Sequence, residues 1–366
     1  MVLQGFFKKN KQIKAVMVSI SGLKLTAWEK KLLSTHNPLG VILFNRNIDN
    51  EKQLKKLITE IKKSIGRKDV LVAVDQEGGR VCRIENMGGY PRYSSQQAIG
   101  GLPFNKAIEM ARLHGFLIGT QLRELGFNMN FAPCLDIRFN NTSPVLSCRC
   151  LSEDPLVVAS LGQEMIHSFM ETGICPCMKH LPGHGRAIAD PHLETAVIKK
   201  TLTELKSVDF MPFASVSQTV PAGMTAHIII PEVDNKPITQ SSAGIEKIIR
   251  KQIGFDGFLF SDAIDMHALK GTLAEKVTMG LQAGCDAVCY CMGEEKGLEE
   301  VLTAASYLTE KALIRLKKIQ AVIQHKPKIK NIEFQKQKYV ELQHQTTEPS
   351  TDYDAVETLH KMQQKG

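Results

Sequence analysis

Gly173-Ile174-Cys175-Pro176-Cys177-Met178-Lys179-His180-Leu181-Pro182-Gly183-His184-Gly185 changes character at Lys179, where an unbroken apolar run gives way to titratable side chains and then to proline and glycine. An apolar run without polar alternation is what a strand buried on both faces requires. The glycines and proline behind it mark a loop. The same form recurs along the chain, with apolar runs at 13–20, 40–44, 70–75, 127–137, 174–180, 222–230, 257–262 and 286–292. Between them, residues 27–34, 53–65, 105–125, 155–172, 202–218, 242–253, 266–283 and 298–323 carry helical rather than alternating periodicity. Strand then helix, repeated about eight times over roughly 320 residues, predicts an α/β fold of the (β/α)8 TIM-barrel type. An open doubly wound sheet is the other arrangement with this alternation. In a parallel barrel the chemistry gathers at the carboxyl ends of the strands, where Lys179 and His180 would emerge.

The chain has 366 residues, 43% hydrophobic and 23% charged, ample for one large core. Residues 1–325 are expected to form a single barrel domain. From 326 to 366 lysine, glutamine, glutamate and threonine dominate without sustained periodicity, which reads as a polar C-terminal extension of the composition that stays disordered. Within it Val356, Leu359 and Met362 would share one side of a short helix over 353–363. No stretch approaches the length of a membrane span, and lysines follow Phe6-Phe7 before any leader-like apolar segment forms. The expectation is a soluble, cytoplasmic protein that engages no membrane.

The nine cysteines, at 82, 134, 148, 150, 175, 177, 285, 289 and 291, are odd in number and never in Cys-x-x-Cys spacing. They read as small buried residues of a reducing compartment. The net charge of +8 comes from lysines scattered through helices and tail, with no basic stripe interleaved with aromatics, so no nucleic-acid partner is expected.

Ionisable residues terminate four of the apolar runs: Asp75, His180, His227 and Asp262. Burying each of them unpaired would be costly, so a shared ligand or a mutual charge network is the economical explanation. Lys179 to His192 packs three histidines, a lysine, an arginine and an aspartate into one glycine- and proline-punctuated segment, the density of an active-site loop. Asp75 opens Asp-Gln-Glu-Gly-Gly-Arg-Val-Cys-Arg, where the paired glycines let the chain turn and return Arg80 and Arg83 toward the mouth. Asp75 and Arg83 together offer acceptors and donors suited to a sugar as readily as to a phosphate. No phosphate loop or dinucleotide fingerprint occurs.

His180, His184, Asp190 and His192, or His227 with Asp262, have the side chains of a zinc site. However, Pro182, Gly183 and Gly185 prevent helical His-x-x-x-His presentation, and Lys179 would repel a cation. Neither a metal nor another cofactor is expected.

Taken together, Val74-Asp75-Gln76-Glu77-Gly78-Gly79-Arg80-Val81, Lys179-His180-Leu181-Pro182-Gly183-His184-Gly185, Asp190-Pro191-His192 and Phe260-Ser261-Asp262 resemble the motif set of family 3 glycoside hydrolases, in the bacterial β-N-acetylglucosaminidase branch. Gly40 to Asn47, Asn130-Phe131-Ala132-Pro133 and Ala283-Gly284-Cys285-Asp286 share the likeness, which spans 13–324. The resemblance implies a retaining exo-β-N-acetylglucosaminidase working through a covalent glycosyl-enzyme. Asp262 matches the nucleophile, His192 the acid/base and Asp190 the residue that orients His192. Asp75, Arg83, Arg149, Lys179, His180 and His227 match the sugar-binding set. The implied substrate is a GlcNAc-containing muropeptide, GlcNAc β-1,4-linked to anhydro-N-acetylmuramic acid, or a chitooligosaccharide, and the implied setting is cytoplasmic cell-wall recycling. A histidine suits acid/base work because its unperturbed pKa near 6.5 lets it both give and take a proton near neutrality.

The chain departs from the family pattern in three places. Pro191 stands where serine is common, removing an amide donor from the loop. After Asp262, Ala263-Ile264-Asp265 replaces a directly following second aspartate, leaving Asp265 as another candidate carboxylate or a helix cap. Ser147-Cys148-Arg149-Cys150-Leu151 replaces a Gly-x-Arg-Ser-Phe pattern. Two other functions remain compatible with these residues. One is phosphorolysis, because a histidine acid/base need not repel phosphate; the other is sugar binding without catalysis.

Overall fold

The computed structural model describes residues 12–85, 87–187, 195–327, 329 and 331–349. Eight parallel strands close into a barrel in the order β1 (Lys14–Val18), β2 (Pro38–Leu43), β3 (Leu71–Val74), β4 (Met129–Asn130), β5 (Cys175–Leu181), β7 (Ala222–Thr225), β9 (Phe258–Ala263) and β10 (Ala287–Tyr290), which pairs back to β1. The closed parallel barrel excludes the open sheet. β6 (Ala196–Val197) and β8 (Ile228–Ile229) form a separate two-stranded parallel sheet.

Two apolar layers explain the unbroken strand sequences. Met17, Ile42, Ala73, Phe131, Cys175, Cys177, Met224, Phe258, Phe260 and Cys289 belong to the cluster inside the barrel. Val16, Val18, Val41, Val72 and Leu259 alternate with them along the strands and pack outward against the helices. Each strand thus buries both faces, and alternation in hydrophobicity disappears from the sequence. The cysteines are free thiols, all buried except the half-buried Cys291.

The helical layer differs from the sequence reading where local signals interrupt long periodic segments. The 298–323 segment is two helices, Glu295–Ala304 and Glu310–Ile323, with Thr309 capping the second through the Ala312 amide. The chain between them runs beside β1: Ser306 O accepts from Ala15 N, and Leu308 N donates to Ile13 O. The 202–218 segment likewise divides into Leu202–Ser207 and Met211–Val216. The 127–137 run is only briefly a regular strand, because Pro133 has no amide to offer the ladder. Its irregular continuation still pairs with β5 through Leu135 N and Lys179 O.

The C-terminal segment is the largest difference. Residues 332–343, which read as polar and aperiodic, form the helix Ile332–Gln343, and Tyr339 on it is completely buried. Tyr339 and Leu342 are the buried residues of this helix, with Ile332 packed partly buried against the core, too few to register as a period. The segment 353–363 lies outside the described residues. Among the described residues no helix is long and apolar enough to cross a membrane.

Candidate active site

The carboxyl ends of β3, β5 and β9 bring together residues far apart in sequence. Beyond β3, Asn130 fixes the chain from the neighbouring strand: its Oδ1 accepts from Gln76 N at 3.0 Å and its Nδ2 donates to Gln76 O at 2.9 Å. The Gln76 amide then folds the loop back, its Oε1 accepting from Arg83 N and Ile84 N while Nε2 donates to Ile84 O. This buried glutamine holds the backbone that carries Arg83. The Arg83 guanidinium lies 6.0 Å from the Phe44 ring, and its Nε is buried with no hydrogen-bond partner among the described residues.

Lys179, near the end of β5, is buried and bridges two carboxylates, with Nζ 2.7 Å from Asp75 Oδ1 and 2.6 Å from Glu77 Oε1. Arg149 grips Glu77 bidentately, through Nε to Oε2 at 2.9 Å and Nη2 to Oε1 at 2.8 Å. Burial alone would raise the Glu77 pKa, but Arg149 and Lys179 outweigh it and hold the carboxyl well below the usual range. Burial would lower the Lys179 pKa, yet Asp75 and Glu77 raise it, so the ammonium stays charged. Gln96 Nε2 donates to the carbonyls of Cys134 and Arg149, fixing the short loop that carries Arg149. The changed residues at 147–151 therefore leave the guanidinium directed into the charge cluster.

The second half of the site surrounds Asp262, next to last in β9. Its Oδ1 accepts from Ala263 N at 2.8 Å, and its Oδ2 lies 4.0 Å from His180 Nε2. Burial raises its pKa, whereas His180, His227, the Ala263 amide and Lys179 together bring it down to about 2. Asp262 is therefore an anion near neutrality. His180 is oriented from behind by the wholly buried Asp136, 2.7 Å from its Nδ1. Arg149 Nη2 lies 3.4 Å from His180 Nε2 on the other side of the ring. Asp136 also accepts from His184 N at 2.6 Å; burial opposes its ionisation, but the two histidines and this amide hold its pKa at about 2.

Both ring nitrogens of His227 are occupied by protein groups. Nε2 donates to Ala263 O at 2.9 Å, and Nδ1 pairs with Thr239 Oγ1 at 2.7 Å. Its hydrogen-bonding capacity is spent on holding the backbone beside Asp262, where the sequence reading expects a sugar contact. Asp265 is not a helix cap: its Oδ1 accepts from Cys291 N, while the helix Leu273–Ala283 is capped by Thr272 in a capping box with Glu275.

Asp190, Pro191 and His192 fall in 188–194, outside the described residues. The flanks of that segment are anchored at the barrel mouth. Gly185 packs so closely that a Cβ there would stand 1.8 Å from Ile137 O, so the turn out of β5 admits no side chain. Beyond the segment, Thr195 Oγ1 donates to Ala268 O, and Ala196–Val197 pairs with Ile228–Ile229. His184 is buried with both ring nitrogens unpartnered among the described residues, and burial pushes its pKa down to about 4.

The described residues include one cluster with metal-ligating spacing, Cys134, Asp136 and His180. It differs from both zinc groupings suggested by the sequence, and Cys134–Asp136 and Asp136–His180 hydrogen bonds already link its members. Sequence reasoning did not single out Glu77 or Asp136. Asp136 had a usable signal: it stands near the end of the apolar run 127–137, as Asp75 and Asp262 do in theirs. Glu77 had only its place before the paired glycines.

A closed parallel barrel with an ionised carboxylate and a buried cation-carboxylate network at its strand ends belongs to the barrel enzymes. The chain matches the Glycosyl hydrolase family 3 N terminal domain over residues 7–322. It is 37% identical over 294 residues to a β-hexosaminidase of Thiobacillus denitrificans, covering 78% of this chain and 80% of that protein. A β-hexosaminidase of Idiomarina loihiensis is 34% identical over 298 residues, covering 81% and 88%. Native NagZ from Neisseria gonorrhoeae superposes with a TM-score of 0.79 at 30% identity, covering 90% of this chain and 98% of that one. The same enzyme has been crystallised in complex with N-trifluoroacetyl-D-glucosamine. The chain belongs to glycoside hydrolase family 3, in its β-N-acetylhexosaminidase branch.

Proposed function

We propose that this glycoside hydrolase is a retaining exo-β-N-acetylglucosaminidase that removes the nonreducing terminal GlcNAc from muropeptides of the GlcNAc-β-1,4-anhydro-N-acetylmuramic acid type. The observation that carries the reading is Asp262: ionised, fixed through one oxygen by the Ala263 amide, and across a 4.0 Å gap from His180. A carboxylate so held attacks the anomeric carbon as the glycosidic bond breaks, forming a glycosyl-enzyme that water then cleaves. Asp75, Lys179 and Arg149, joined to Asp262 through the Arg149–His180 contact, offer acceptors and donors for sugar hydroxyls. His180 Nε2 lies between Asp262 and Arg149, at 4.0 and 3.4 Å.

His192 is assigned by the family resemblance as the group that protonates the leaving oxygen and then activates water, with Asp190 selecting its tautomer. The muropeptide substrate and the cytoplasmic setting rest on that resemblance.

Incubation with GlcNAc-anhydro-N-acetylmuramic acid and with chitobiose, each with and without phosphate, tests the reading by product analysis. Free β-GlcNAc from the muropeptide, independent of phosphate, is expected. GlcNAc 1-phosphate would assign phosphorolysis, and binding without turnover would assign a noncatalytic barrel.

A further inference from the structure

We propose that the C-terminal helix Ile332–Gln343 is a positioning element of the sugar site, acting through Tyr339 and His114 on Glu77. The inference rests on the reading of the Asp75, Glu77, Lys179 and Arg149 cluster as the sugar-binding network.

A directional chain of hydrogen bonds runs from the helix into that network. Tyr339, completely buried, accepts from Ser94 N at 3.0 Å and has its hydroxyl 3.0 Å from His114 Nδ1. His114 Nε2 lies 2.8 Å from Glu77 O. A carbonyl can only accept, so the imidazole proton sits on Nε2. Nδ1 is then the acceptor, and the Tyr339 hydroxyl must point its hydrogen toward it. Each donor along the path has one acceptor. Burial lowers the His114 pKa to about 4, consistent with the neutral ring that this pattern needs.

The path ends on the residue whose carboxylate organises the site. Glu77 O is held by His114, while Glu77 Oε1 and Oε2 hold Arg149 and Lys179. The neighbouring backbone leaves no slack for Glu77 to shift alone. At Gly78, with φ of 93°, a Cβ would stand 2.3 Å from Ser94 O and 2.7 Å from His114 Cε1. The C-terminal segment braces the outer side of the same backbone: Gln343 Nε2 donates to Arg92 O at 2.6 Å and Ser94 Oγ at 3.1 Å, and Glu348 Oε1 accepts from Ser95 N at 3.1 Å. Edge-on packing of Tyr93 against both His114 and Tyr339 fixes the two rings. The helix Ile332–Gln343 thus backs the wall that presents the cluster.

Three variants test the relay: Tyr339→Phe, His114→Gln and His114→Asn. Phenylalanine keeps the ring and removes the hydroxyl. Glutamine places an amide near the position of Nε2 and retains a donor for Glu77 O, whereas asparagine places its polar group near Nδ1 and loses that donor. Turnover of an aryl β-GlcNAc, calorimetric affinity for GlcNAc and thermal midpoint are read on the full chain. The relay predicts that Tyr339→Phe and His114→Asn weaken GlcNAc binding roughly fivefold or more, on the scale of one buried polar group left unpaired, with KM moving more than kcat. His114→Gln should recover most of the affinity lost in His114→Asn, even where the thermal midpoints of the two fall alike. Lowered midpoints with KM and GlcNAc affinity at wild-type values would overturn the relay, as would equal affinity losses in the two histidine variants. Should His114→Asn not fold, Tyr339→Phe alone decides between these outcomes. Wild-type protein that neither binds nor cleaves the sugar would overturn the sugar-site reading; active wild type with unmoved variants would overturn the relay alone.

Discussion

Arg149 holds Glu77 through two parallel hydrogen bonds, Nε to Oε2 at 2.9 Å and Nη2 to Oε1 at 2.8 Å, and the carboxylate they hold is only 1% exposed. Removing one partner of a buried, bidentate pair leaves the other charge without compensation, a loss of about 3–5 kcal/mol. Glu77→Gln would leave Arg149 and Lys179 facing each other with Asp75 alone to balance them. Thermal denaturation should therefore show a marked fall in stability, accompanied by weaker GlcNAc binding. Arg149→Lys should weaken GlcNAc binding as well, because an ammonium cannot reproduce the fork. Wild-type affinity in Arg149→Lys would remove Arg149 from the sugar-binding set.

Asp262→Ala should fold, since this side chain stands at the mouth rather than in the barrel core, and should lose activity by at least about 10³-fold, the scale for removing a covalent nucleophile. The check is kcat/KM on an aryl β-GlcNAc at neutral pH. A 2-fluoro sugar with a good leaving group should label the wild type at Asp262, seen by peptide mass spectrometry, and leave the variant unlabelled. Full activity in Asp262→Ala would overturn the nucleophile assignment.

The barrel and its mouth were legible because strand burial and strand termination leave direct marks in the sequence. An apolar run without alternation reports two buried faces. A charged residue at its end reports the point where the strand leaves the core, which located Asp75, His180 and Asp262. The supporting layer left weaker marks. Asp136 is separated from the short strand Met129–Asn130 by an irregular segment, and Glu77 pairs with Arg149 from the segment after the next strand, a relation that no local pattern encodes. His227 stands just past a strand end, but its hydrogen-bond partners, Thr239 and Ala263, come from other parts of the fold. The C-terminal helix leaves little mark in the sequence for a different reason. Its anchoring depends on a buried tyrosine and leucine and several polar contacts rather than a periodic apolar face.

Acid should destabilise the protein partly through Asp136. Its pKa in the folded state, about 2, lies below the unfolded value near 3.9, so the unfolded chain binds more protons as the pH falls. The resulting stabilisation is fully present above about pH 5 and is lost as the pH falls toward 2, an effect on the order of 2 kcal/mol. Denaturant unfolding between pH 2 and 6 should show a smaller slope against pH in Asp136→Asn than in the wild type. Equal slopes would show that other carboxylates carry the acid response.

The thiols offer a count that checks the interior packing. Cys175, Cys177 and Cys289 belong to the cluster inside the barrel, and burial raises the pKa of each, disfavouring the reactive thiolate. Cys291 alone is half-buried rather than buried, and burial with nearby Asp265 raises its pKa as well. Native protein at pH 7.5 should therefore react with an aromatic disulfide reagent at no more than one thiol on the timescale of minutes, whereas unfolded protein should titrate all nine. Prompt reaction of several thiols in the native state would contradict the interior assignment.

His192→Ala separates proton transfer from binding by its dependence on the leaving group. A phenol of low pKa departs without protonation, whereas a sugar alkoxide does not, so the variant should lose roughly 10²–10⁴-fold on muropeptide or chitobiose and far less on an activated aryl glycoside. The bond-breaking step on the activated substrate then leaves the glycosyl-enzyme waiting for a base to activate water, and stopped-flow mixing should show a burst of phenol followed by slow turnover. Asp190→Asn should move in the same direction by a smaller factor, because it perturbs the tautomer of His192 without deleting the imidazole. Equal losses on good and poor leaving groups, with no burst, would exclude His192 as the general acid and leave the acid role to another group at the mouth.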